Sequence, residues 1–162
     1  MKIYAWSFVI FVTFIYSCTS DKKPPFAETH DSIASKPVDK PILDSLPWNT
    51  IYNEQTHELV LKHHVSDMTG VGQEEIIKAL NKKYPDIQME FVSAKGDTVI
   101  TRIKDALQLT QNIGTAGAET YMAEATYSLT EIPTIKEVTF EFEVGDHAMP
   151  GTYNRADFKN FK

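Results

Sequence analysis

Apolar residues occur along this chain in three rhythms. From Ile3 to Tyr16 they run almost unbroken; from Thr19 to Ser45 they are sparse and interrupted by Pro24, Pro25, Pro37 and Pro41; from Leu46 onward they recur with the periods of regular structure. In that last part, Leu59, Leu61 and Val65 share one parity of His57 to Val65, which predicts a first strand. Ile76, Ile77, Leu80 and Tyr84 share a helical face. Gln73, Glu74 and Glu75 fall in the first turn of that helix and Lys82 with Lys83 in the last, charges that match the macrodipole, and Pro85 ends it. Ile87, Met89 and Phe91 alternate with polar residues up to Lys95-Gly96-Asp97, so a hairpin into Thr98 to Ile103 is expected. A less regular stretch, Lys104 to Gly114, precedes a second helix on which Ala118, Tyr121, Met122, Ala125 and Leu129 repeat, closed off by Pro133. Val138, Phe140, Phe142 and Val144 then alternate with Thr139, Glu141 and Glu143 in a last strand. The order strand, helix, strand, strand, helix, strand predicts an α+β domain with an antiparallel or mixed sheet and both helices on one face.

The N-terminal rhythm has a different meaning. Lys2 ahead of the apolar run makes residues 1–17 an export signal. As a helix, Ile3 to Ser17 would rise about 22 Å, short of the roughly 30 Å hydrocarbon core. Ile15-Tyr16-Ser17-Cys18 resembles a bacterial lipobox, with a branched residue at minus three and a small one at minus one; Tyr16 departs from the usual small residue. The expectation is cleavage before Cys18 and acylation of its thiol, each buried methylene contributing about 0.8 kcal/mol to membrane attachment. Residues 18–45 then read as a lipidated flexible linker, about 30 Å long as a coil and about 80 Å extended. Residues 46–162 read as the single folded domain.

Composition narrows the function classes. The 162 residues are 42% hydrophobic and 23% charged, which suits one modest globular core. Net charge is −6, and it sits in the domain, where 17 acidic residues face 11 basic ones. That sign disfavours nucleic acid and adhesion to anionic lipid, leaving the covalent lipid as the membrane contact. Cys18 is the only cysteine, so no intramolecular disulfide can form.

Ala125-Thr126-Tyr127-Ser128-Leu129-Thr130-Glu131-Ile132-Pro133, followed by Ile135, Val138 and a strand ending at Gly145, resembles the GerMN domain of sporulation and spore-germination proteins. The likeness covers the last two thirds of the domain. It implies an exported, often lipid-anchored protein, similar to ring-building modules that assemble side by side; no enzymatic activity follows from the likeness, and the residues suggest no cofactor. The chain carries one copy, and Gly145 to Gly151 departs from the family's pattern.

Few residues invite chemistry. His63 and His64 are neighbours on a strand and point to opposite faces, so they cannot chelate one metal together. Asp146 and His147 lie in the Gly/Pro-rich loop from Gly145 to Gly151, a setting that suits either a plain turn or a binding loop; with Arg155 as an anion contact they form the candidate ligand or partner site. Gly114-Thr115-Ala116-Gly117-Ala118 opens a helix but lacks the lysine of a P-loop, and small residues there let the helix start pack closely. Glu137, Glu141 and Glu143 form an outward acidic stripe, and Tyr153, Phe158 and Phe161 are expected to fold back on the domain. With no nucleophile, base and oxyanion site in view, the leading expectation is a non-catalytic interaction or assembly module of the cell envelope, on its periplasmic or extracellular face, meeting a protein partner or itself. The competing expectation is a small-ligand receptor or hydrolase centred on the 145–151 loop.

Overall fold

The second half of the second helix is buried almost all round, and the domain is assembled on it. The computed structural model describes residues 42–65 and 67–161, which fall within one compact unit. The expected signal, Cys18 and the linker as far as residue 41 lie outside the described residues. Among the described residues no helix is long and apolar enough to cross a membrane.

Helix α2, Gly114–Leu129, has buried Tyr121, Met122, Ala123, Glu124, Ala125, Thr126, Ser128 and Leu129, leaving only Tyr127 partly exposed over its last nine residues. A helix with so little polar face has to be covered on several sides. Helix α1, Gln73–Lys83, covers one, with Ile76 and Leu80 fully buried. Its ends match the sequence reading: the Glu75 carboxylate accepts the Gly72 N–H at 3.1 Å, and the Tyr84 N–H closes the last turn on the Leu80 carbonyl at 2.8 Å.

The main sheet has four strands, β3 (Met89–Lys95), β4 (Thr98–Ile103), β5 (Glu137–Glu141) and β6 (Gly151–Tyr153), in that spatial order. The β3–β4 hairpin turns on Gly96 at φ +64 and carries a bulge at Val92; β4 and β5 are parallel, joined through α2, and β5 and β6 are antiparallel. Val99, Ile103, Val138 and Phe140 face the helices and are buried. On the opposite face Arg102 pairs with Glu141 at 2.6 Å and Lys104 with Glu90 at 2.8 Å. The α+β class with a mixed sheet is therefore as read from the sequence.

Strand β6, which follows the 145–151 loop, was not foreseen in the sequence, and three further details differ. The strand expected over His57 to Val65 is Glu58–His63 (β2), and it pairs outside the main sheet with an unforeseen strand, Trp48–Asn53 (β1). The last strand stops at Glu141, and Val144 is exposed, because the chain turns off to cross residue 110. The irregular stretch after β4 contains a π-helical turn, Gln108–Asn112, that packs Leu109 and Thr110 inward.

Two tyrosines in the core set an alkaline limit. Burial pushes the Tyr121 hydroxyl well above its ordinary value; burial and then the Glu124 charge do the same for Tyr84. A folded-state pKa that is raised stabilises fully below the unfolded value, near 10, and the stabilisation is lost as pH rises beyond it. Tyr121 alone should cost about 1.4 kcal/mol per pH unit above pH ~10. Denaturant midpoints between pH 9 and 11.5 would show a slope at least this steep, and the Tyr121→Phe variant should lessen it, leaving the part due to Tyr84.

Candidate functional site

The loop that the sequence singled out forms one wall of a groove. After β5 the chain runs across the π-helical turn, where Gly145 lies so close to Thr110 that a built Cβ would come within 2.5 Å of the Thr110 Cβ. The His147 N–H donates to the Thr110 carbonyl at 3.0 Å, and His147 Nδ1 lies 3.1 Å from the Thr115 Oγ1 at the start of α2. The Tyr153 hydroxyl donates to the Met149 carbonyl at 2.8 Å, fixing the far end of the loop. Burial, and then the Asp157 charge, raise that hydroxyl's pKa.

The C-terminal tail forms the other wall. Tyr153 meets Phe140 edge-on at 5.8 Å and stacks with Phe158 at 5.8 Å, while Phe161 packs against Phe158 at 6.5 Å, so the aromatic tail folds back as expected. A 3-10 turn, Arg155–Phe158, is capped reciprocally: the Asn154 side chain accepts the Ala156 N–H, and Asp157 accepts the Asn154 N–H at 2.8 Å. Between loop, tail and the start of α2 lies a groove of ≈ 280 Å³. Met122, Ala148, Phe158 and Phe161 supply its apolar part, and Glu119, Asp146 and Asp157 stand exposed at its rim. Among the described residues its lining holds three carboxylates and no Lys or Arg. Neither Glu119 nor Asp146 has a hydrogen-bond or ion-pair partner among the described residues.

Sequence reasoning reached Asp146 and His147 but not Glu119 or Asp157. The signal for Glu119 was available: it is an acid near the start of a helix whose later turns carry little charge. Arg155 lies elsewhere. Its guanidinium donates to Glu131 at 2.7 Å, to Thr130 at 2.8 Å and to the Tyr127 carbonyl at 3.0 Å, and sits 5.3 Å from the Trp48 ring and 5.0 Å from the Tyr127 ring. Glu131 also accepts the Trp48 indole N–H at 2.8 Å and lies 3.3 Å from His63 Nε2. Burial works to raise the Glu131 pKa, but the bonds from Trp48 and Arg155 and the positive charge nearby hold it below the usual range. Arg155 and His63 thus tie the β1–β2 hairpin to the end of α2. His64 is exposed just beyond the strand, and among the described residues no group of three or more His, Cys, Asp or Glu is placed to hold a metal.

The helix start at Gly114 carries close packing: a Cβ on Gly117 would come 2.5 Å from Ile113. In the acidic stripe, Glu141 is paired with Arg102, Glu137 lies 3.5 Å from the Thr98 hydroxyl, and Glu143 is exposed.

No protein-family model matches the chain, and no curated protein matches it. Among solved structures it is similar to the tandem GerMN domains of the sporulation protein GerM from Bacillus subtilis, at 14% identity and a TM-score of 0.42, covering 70% of this chain and 48% of that one. The chain spans about half the length of that solved protein.

Proposed function

We propose that this is a lipid-anchored protein of the bacterial envelope whose exported domain is a non-catalytic interaction module, and that its groove takes a basic, apolar-flanked segment of a protein partner. One observation carries the choice of partner: a groove with Met122, Ala148, Phe158 and Phe161 in its lining is rimmed by Glu119, Asp146 and Asp157, and no Lys or Arg lines it among the described residues. Opposite charge arranged around an apolar anchor gives specificity and speeds encounter. The lipobox-like Ile15-Tyr16-Ser17-Cys18 supports the anchor.

The test places a photoreactive benzophenone side chain at Met149 of the full chain in intact cells. A discrete adduct with an exported protein is expected. Each exposed ion pair contributes about 0.2–1 kcal/mol, so turning two attractions into repulsions with Glu119→Lys and Asp146→Lys should weaken the adduct about tenfold. No adduct, or one indifferent to these reversals, would overturn the groove assignment. Mass spectrometry of the same sample should find Cys18 acylated at the mature N-terminus; a retained Met1 or a bare thiol would refute the anchor.

The competing reading, a small-ligand receptor or hydrolase, draws on Asp146 and His147 standing together at the rim. Its third member, Arg155, is engaged with Glu131. A cellular defect in His147→Ala with the Met149 adduct intact would favour that reading.

A further inference from the structure

Among the described residues the β1–β2 hairpin has one covered edge and one open edge. On β1 the Trp48 N–H donates to the Ser128 hydroxyl at 3.3 Å and the Thr50 N–H to the Glu124 carboxylate at 2.6 Å, so both point toward α2 and away from β2. In an antiparallel ladder, residues facing each other turn their backbone groups either both inward or both outward. The cross-strand partners of Trp48, Thr50 and Tyr52 are His63, Leu61 and Leu59. These three therefore direct their N–H and C=O groups to the far side of β2. Among the described residues the sheet contains only β1 and β2, and no backbone or side-chain partner meets those groups. An open edge of this kind is a template for another strand.

The side chains along this edge select the occupant. We propose that two copies of the chain pair antiparallel through β2, about a twofold axis at Val60. In that register Leu59 faces Leu61 of the second copy, so the outward backbone groups meet as four hydrogen bonds. Glu58 faces the second copy's Lys62, and Lys62 faces its Glu58. Shifting the centre to Leu59 or Leu61 also satisfies the backbone but sets Val60 opposite Glu58 or Lys62, leaving the charges unmatched. Lysine on an open strand is a usual device against edge pairing. Here Glu58, two residues on the other side of Val60, makes the same strand self-complementary.

The neighbouring strand fits the same arrangement. Ile51 pairs with Val60 on the face away from the core and is 41% exposed. In the joined four-stranded sheet Ile51, Val60, the second copy's Val60 and its Ile51 form one apolar row, bordered on each side by a Glu58–Lys62 pair. Strands of six residues bury well under the roughly 1,200 Å² of a standard interface, so the association is weak. It deepens the reading of an interaction module by naming a second copy as one partner, and it uses a surface made by none of the groove residues.

Paired residues that do not share hydrogen bonds have Cα atoms about 4.5 Å apart, within disulfide range. The full chain carrying Val60→Cys, oxidised in intact cells, should therefore give a disulfide-linked dimer on a non-reducing gel. The unsubstituted chain and a Val92→Cys control, at the exposed bulge of β3, should give none. Adding Lys62→Glu should lower the linked fraction about tenfold, and adding Glu58→Lys to that variant should restore it, because the pairs re-form with their signs exchanged. A Val60→Cys dimer no stronger than the controls, or a linked fraction unmoved by Lys62→Glu, overturns the proposal. The Met149 adduct, recorded in the same cells, reports separately on the groove.

Discussion

Lys83→Met should destabilise the folded domain by about 3–5 kcal/mol, read as a shift in the denaturant midpoint of the full chain. The Glu124 side chain is 1% exposed in the middle of α2, and Lys83 Nζ reaches both of its oxygens, at 2.7 and 2.6 Å, from the last turn of α1. The Tyr84 hydroxyl and the Thr50 N–H donate to the same carboxylate, so one buried group joins α1, α2 and β1. Removing the cation leaves that charge in the core without its counter-ion, and a buried charge stripped of its partner costs far more than the intact pair contributes. Glu124→Gln keeps an acceptor for Tyr84 and Thr50 while removing the charge. Combined with Lys83→Met it should recover at least ~1 kcal/mol relative to the single change, the non-additivity expected of residues in contact. A Lys83→Met domain as stable as the unsubstituted one would show that the pair does not hold the two helices together.

Gly145→Ala should be the most damaging single methyl group near the groove. The added Cβ would stand 2.5 Å from the Thr110 Cβ, 2.8 Å from its Oγ1 and 2.7 Å from Gln111 Nε2. Gln111 is exposed and can swing aside. Thr110 is buried, β-branched, and bonded through its hydroxyl to the Ala106 carbonyl at 2.9 Å, so it cannot. The loop has to lift, at a cost of about 1–3 kcal/mol, taking the His147 N–H off Thr110 and carrying Met149 with it. Gly96→Ala provides the comparison. Gly96 has φ +64, so Ala is strained there by about 1 kcal/mol, but its Cβ would meet nothing within 4 Å and the groove is untouched. Equal loss of the Met149 adduct in both variants would mean that the groove responds to stability alone and that Gly145 does not position the loop.

What could be read from the sequence follows from which interactions are local. Helix α1 was legible to the residue, because its acidic first turn, basic last turn and Pro85 act within a few positions of one another. The β3–β4 hairpin was legible through its Gly96-Asp97 turn, and α2 through its repeating apolar positions. Strand β1 was not, since Trp48, Ile51 and Tyr52 among Asn and Thr follow neither period, and its free backbone donors are met by Ser128 and Glu124 from 74 to 80 residues away. Alternation continued to Val144 in the sequence, yet the strand stops at Glu141, where contact with Thr110 outweighs the ladder. The site divides in the same way. Asp146 and His147 were visible because a Gly/Pro-rich loop marks itself. Arg155 also looked available, but its partners Glu131, Trp48 and Tyr127 are brought to it only by the fold.

The Trp48 cluster has a mechanical consequence. Any traction arriving from residues that precede Leu46 first loads the segment around Trp48, whose indole is bonded to Glu131 and lies against the Arg155 guanidinium. Through Glu131 and Arg155 that load is shared between the end of the second helix and the carboxyl-terminal turn, so the first strand does not bear it alone.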